Sequence, residues 1–89
     1  MEFKKEGLLA NRICAAINEF LLTTGDPFIK CYSVAFVVEF DGCGNEQESF
    51  YQATISEASP DDFELKRGIS KFLLREKNIK EQVVIVTEW

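Results

Sequence analysis

YSVAFVVEFDGCGNEQESFYQATI, residues 32–55, reads as one β-hairpin with two unlike faces. Tyr32, Val34, Phe36, Val38 and Phe40 alternate with Ser33, Ala35, Val37 and Glu39. A period of two over that length is the pattern of a half-buried strand. The second strand continues it with Tyr51, Ala53 and Ile55 as core-facing residues. Side chains that pair across an antiparallel ladder share a face, so even positions of the first strand must oppose odd positions of the second. Gly44-Asn45 suits a two-residue turn, because both residue types tolerate positive φ. It predicts Val38 opposite Tyr51, Phe36 opposite Ala53, and Val34 opposite Ile55. A longer loop over Asp41–Gln47 is the alternative. The predicted register also sets Asp41 against Glu48, a like-charge pair that favours fraying at the tip.

The flanking segments are helical in pattern. Over Phe3–Thr24, Leu9, Ile13, Ala16, Ile17 and Phe20 form one apolar stripe, while Asn11, Arg12, Asn18 and Glu19 fall off it. Gly25 suits the position just past the helix, and Pro27 follows where a helix could not continue. After the hairpin, Ser59-Pro60-Asp61-Asp62 is a helix start: Ser59 as cap, Pro60 in the first turn, and carboxylates at the positive end of the dipole. Leu65, Ile69, Phe72 and Leu73 form the second stripe, with Phe63 at its margin. Asn78 is expected in a left-handed stop with Ile79 packing back, and Val83–Val86 reads as a last strand.

These elements predict an α+β fold of two layers, in the order α-β-β-α-β, as one domain over residues 1–89. A three-stranded sheet with both helices packed on one face is the simplest arrangement. Strand order 2-1-3 is preferred because the first strand is apolar on both faces, as a central strand is. Order 1-2-3, with a parallel pair, is the alternative.

Composition narrows the function. With 89 residues, 46% of them hydrophobic, the chain suits one packed domain; roughly 60–65% of its surface would be buried on folding. Eight Phe, two Tyr and one Trp enlarge a small core. The net charge of −5 disfavours nonspecific binding to nucleic acid or anionic membrane. Three cysteines without close pairing do not suggest a disulfide framework. No signal-peptide pattern or membrane-length apolar run is present, so a cytoplasmic, reducing setting is expected.

Catalysis is not expected. The chain has no His, no Cys-x-x-Cys and no phosphate-binding loop, so no catalytic, cofactor or metal residues are predicted. Asp41-Gly-Cys-Gly-Asn45 joins two strands and reads as a turn. Cys43 at its tip has acidic neighbours, which raise rather than lower a thiol pKa. Cys14 reads as a small core residue.

Charge is unevenly spread. Between Cys31 and Leu65 there is no Lys or Arg, yet eight acidic residues occur. Glu39, Asp41, Glu46 and Glu48 read either as a solvated hairpin edge kept from aggregating or as a footprint for a basic partner. Lys66, Arg67, Lys71, Arg75 and Lys77 read as the solvent face of the second helix, with nucleic-acid contact as the alternative. The hairpin's far face carries Ser33, Ala35, Val37, Glu39, Phe50, Gln52 and Thr54, joined by two β-branched residues of the last strand. Either Trp89 or the Asp26–Cys31 linker covers that apolar patch, or it is an interface.

The terminal Val83-Val84-Ile85-Val86-Thr87-Glu88-Trp89 after an amphipathic helix, with a hairpin whose tip is Gly-rich, resembles small phage- and prophage-type proteins. The resemblance covers the last two-thirds of the chain and implies a small accessory or host-interaction protein; it carries over no functional residues. The expectation is therefore a non-enzymatic protein-interaction module. It docks on a protein partner, or on a second copy through the sheet, using Ala35, Val37, Glu39, Phe50, Gln52, Thr54, Asp41, Glu46 and Glu48. A nucleic-acid-associated protein and a small-ligand binder or enzyme with a helix–sheet pocket are the alternatives.

Overall fold

The computed structural model describes residues 2–58 and 61–88, with side chains from residue 7 onward. In chain order the elements are α1 (Glu2–Leu22), β1 (Lys30–Phe40), β2 (Glu46–Ser56), α2 (Phe63–Arg75) and β3 (Val83–Glu88). The sheet is mixed: β1 and β2 are antiparallel, and β3 runs parallel to β2.

Strand order is β1-β2-β3, which corrects the expected 2-1-3 and makes β2 the central strand. The reason lies in the helical layer. The linker after α1 turns the chain back so that β1 runs beneath that helix, and α1 packs chiefly on β1. α2 lies beside α1, and its Ser70, Leu73 and Leu74 flank Val83. With α1 already over β1, the crossover from β2 through α2 delivers β3 to the opposite side. The apolar character of β1 therefore marks an exposed edge and not a buried centre.

One core joins the layers. Ile13, Ala16, Ile17 and Leu21 of α1 meet Tyr51, Ala53 and Ile55 of β2 and Ile69 and Leu73 of α2. Ile13, Ile17, Leu21, Ile55 and Ile69 are the largest fully buried side chains, and each such burial is worth about 1.5–3 kcal/mol. Both helices thus sit on the face carrying the odd residues of β2, as the stripes predict. Gly68 allows the helices to approach: a Cβ there would stand 2.8 Å from the Phe20 ring, which itself packs on Phe72 with centroids 5.4 Å apart.

The helix ends differ in detail. α1 stops at Leu22, and Gly25 takes the left-handed conformation (φ +80°). The Thr23 and Thr24 hydroxyls donate to the carbonyls of Phe20 and Leu21. Asp62 caps α2 by accepting from the Leu65 N–H at 3.1 Å. Ser59, Pro60 and Trp89 lie outside the described residues. Asn78 is left-handed (φ 54°), and the N–H of buried Ile79 folds back to the Leu73 carbonyl at 2.9 Å.

Candidate interaction surface

The hairpin's faces follow the parity argument, but its register is shifted by two. Phe36 pairs with Tyr51, Val34 with Ala53, and Glu39 rather than Asp41 faces an acid, Glu48. The tip loop and the bulge at Gln47 beside it together explain the shift. Gly44 alone is left-handed (φ +86°), its N–H bonds to the Asp41 carbonyl at 3.1 Å, and the Asp41 N–H bonds to the Asn45 carbonyl at 2.8 Å. That is a three-residue loop closed by a left-handed Gly, in place of the two-residue Gly44-Asn45 turn.

Bulges adjust both ends of the ladder. At the tip Phe40 pairs with Glu46, leaving Gln47 extra. At the base the register shifts between Cys31 and Ser33, so Tyr32 opposes no residue of its own. Tyr32, expected in the core, therefore turns to the far face, and its hydroxyl donates to the Glu88 carboxylate across the sheet.

The far face is built from the rows Ser33–Thr54–Val86, Ala35–Gln52–Val84 and Val37–Phe50. Val84 and Val86 are its contribution from β3, while Val83 and Ile85 pack on the core. Val37, Phe50, Gln52, Thr54, Val84 and Val86 are half-buried and Ala35 is exposed. Both helices occupy the other side, so no described helix or strand lies over this face. Gln52 and Thr54 interrupt the apolar patch at its centre.

The core-side face of the hairpin is also incompletely covered. Val34 packs against the core, but Phe36 is 37% exposed and Phe40 61%. Val38 is half-buried outside the core cluster. Phe36 and Val38, expected in the core, instead lie where the hairpin runs past the helices, and Phe36 rests on Tyr51 with ring centroids 5.0 Å apart. The molecule is accordingly long, 45 × 26 × 20 Å. Glu39, Glu46 and Glu48 are exposed along this projection. Asp41 instead ties the tip together, because its carboxylate accepts from the N–H groups of Cys43 (2.8 Å) and Asn45 (2.9 Å). The Asn45 and Cys43 bonds hold its pKa below the ordinary value.

Sequence reasoning missed how α1 guards the β1 edge. Asn18 accepts from the Cys31 N–H at 2.8 Å and donates to the Cys31 carbonyl at 3.0 Å. The Cys14 thiol donates to the same carbonyl at 3.4 Å. The side-chain amide thus imitates one link of a neighbouring strand. A lone Asn beside an apolar stripe is the only signal of this in the sequence. Burial, then the neighbouring Cys14, pushes the Cys31 thiol up to about 12. All three cysteines are free thiols, and Cys43 is exposed.

Beside this contact an open groove of about 460 Å³ runs between the end of α1 and the start of β1, with Leu22 and Ile29 among its apolar walls. It lies outside the sheet–helix core, which Ile13, Ile17 and Ile55 fill. No cluster of three His, Cys, Asp or Glu suited to a metal occurs among the described residues. No described helix is long and apolar enough to cross a membrane.

The basic residues of α2 and its exit are not one uniform stripe. Lys77 pairs with Glu19 at 2.6 Å and lies over the Phe72 ring. Lys66 lies over the Phe63 ring, while Arg67, Lys71 and Arg75 are exposed. No protein-family model matches the chain, and no curated protein matches it significantly.

Proposed function

We propose that this protein is a non-enzymatic protein-interaction module that docks through its projecting hairpin and open sheet face. The observation that carries this reading is the coincidence of uncovered apolar side chains, Val37 and Phe50 on one side and Phe36 and Phe40 on the other, with a rim of Glu39, Glu46 and Glu48. An apolar centre inside a charged rim is the usual anatomy of a docking patch. The rim's sign favours a partner protein whose patch is edged by Lys and Arg, and predicts salt-sensitive association. A cytoplasmic accessory role, of the kind found in phage-type proteins, is the setting we propose.

Photo-crosslinking tests the reading. A benzophenone side chain at Phe50 is expected to capture a protein partner in lysate, with capture falling as salt rises. The same group at Ser70, on α2, is expected to capture none. Capture only from α2, or from neither position, overturns it. A second reading rests on the exposed row of Arg67, Lys71 and Arg75: a nucleic-acid-associated protein. A mobility shift at low salt that vanishes with those three residues changed to Gln would favour it over docking.

A further inference from the structure

We propose that a second copy of this chain pairs antiparallel with the β1 edge, forming a continuous six-stranded sheet in which each copy's Phe40 seats in the other's groove. This rests on the docking reading for the uncovered Phe36 and Phe40 and leaves the far face around Phe50 to a different protein.

β1 is an outer strand of eleven residues. Outer strands are ordinarily guarded by Lys, Pro, bulges or covering elements. Here the guard covers only the base: Asn18 holds both backbone groups of Cys31 and Tyr32 forms a bulge. From Val34 to Phe40 no described side chain bonds to the strand's backbone, and no Lys or Pro interrupts it. Because bulged residues count together as one ladder position, the outward phase set at Cys31 passes to Val34, Phe36 and Val38.

The partner's identity follows from self-complementarity. An antiparallel pair about a two-fold axis normal to the sheet keeps the helices of both copies on one side, so paired residues share a face. Centring that axis on Phe36 pairs Val34 with the second copy's Val38 and joins the three outward residues of each strand. The ladder then stops where Asn18 already occupies Cys31. Counting the Tyr32 bulge as one position, Lys30 falls opposite the second copy's Asp41. Lys30 is the only Lys or Arg between Arg12 and Lys66, and it stands at the end of β1 remote from the acidic tip. Antiparallel pairing joins those opposite charges, whereas parallel pairing would join like ones.

The same register sets the second copy's Phe40 beside Cys31 on the helix side of the sheet. The groove opens there, lined by Asn18, Leu22, Ile29 and Cys31. Its 460 Å³ exceeds the lower bound of about 300 Å³ for small-molecule pockets and accommodates an aromatic ring. Centring the axis on Ala35 would set Val38, and not Phe40, opposite Cys31 and carry Phe40 beyond Lys30, the first residue of β1. Centring it on Val37 would carry Phe40 away from the groove.

Sedimentation velocity across a concentration series is expected to show a dimer. Phe40→Ser and Phe36→Lys are each expected to raise its dissociation constant about tenfold or more, with unchanged circular dichroism because both side chains are exposed. In a Cys43→Ser background, Phe36→Cys is expected to form an intermolecular disulfide readily, since directly opposed strand residues have Cα atoms about 5.5 Å apart. Val37→Cys is expected to form little. A monomer at every concentration overturns the proposal, as does equal crosslinking from both cysteine variants. A dimer lost on Phe50→Lys but not on Phe36→Lys overturns it too. The docking reading stands or falls separately, on capture of a different protein from Phe50.

Discussion

Replacing Asn18 tests whether the β1 edge is held by a side-chain amide. Asn18→Ala removes the two hydrogen bonds to Cys31, at 2.8 and 3.0 Å. Each net hydrogen bond is worth about 0.5–1.5 kcal/mol, so the loss is about 1–3 kcal/mol, with water able to enter from the adjoining groove. For a domain of this size that lowers Tm by about 4–8 °C per kcal/mol. Asn18→Leu should cost more than Asn18→Ala, because it keeps water out and leaves both Cys31 backbone groups dry. Asn18→Asp keeps the acceptor but faces a carboxylate toward the Cys31 carbonyl, so its destabilisation should shrink as acid protonates it. Urea unfolding followed by circular dichroism, at two protein concentrations to separate self-association, gives the energies. Hydrogen exchange at the Cys31 amide gives the local effect. An Asn18→Ala cost below about 0.5 kcal/mol, or an Asn18→Leu variant as stable as the parent, would refute the edge-capping argument.

Other outcomes follow from single groups. Cys31, whose thiol burial pushes up to about 12, should alkylate far more slowly at mildly alkaline pH than exposed Cys43; mass spectrometry after a short iodoacetamide pulse checks this, and equal rates would contradict it. Asp41 has a folded-state pKa below its unfolded one, so its contribution to tip stability is complete above the unfolded value and is lost as pH falls through the folded value. An NMR titration of the Cys43 and Asn45 amides should therefore show the tip loosening only at strongly acidic pH, and Asp41→Asn should remove the transition. The Thr87 hydroxyl is buried without a hydrogen-bond partner among the described residues. Thr87→Val should stabilise the protein by about 1 kcal/mol in denaturant titration; a loss of stability would mean that the hydroxyl has a partner.

The sequence made the faces of the hairpin legible but not its register. Period two decides which side each residue takes, and a slip of two residues preserves that choice; the slip combines the three-residue loop closed at Gly44 with the extra residue Gln47. Tyr32 broke the alternation because a bulge forms where Asn18 holds Cys31, a contact between residues thirteen positions apart. Strand order was missed for a related reason. Apolar side chains on both faces of β1 were consistent with a central strand, and only the seating of α1 over β1 excludes that. The stripes of both helices needed no tertiary information: Ile13, Ile17, Ile69 and Leu73 are buried as their spacing requires. How far the helices reach along the sheet is not written in periodicity, so the exposure of Phe36 and Phe40 could not be foreseen. Parity placed Glu39, Glu48 and the far-face residues, but not Glu46, which the bulge at Gln47 pairs with Phe40.

The parallel pairing of β3 with β2 also sets an order of events in time. The hairpin closes over a three-residue loop, Gly42–Gly44, and such structures form in about 1–10 μs. β2 and β3 meet only after residues 57–82 have been looped and α2 laid across, a slower, non-local closure. On these closure lengths β3 is expected to join β2 after the hairpin has formed. In a chevron analysis, Ile85→Val should mainly accelerate unfolding, whereas Ala53→Gly should mainly slow folding.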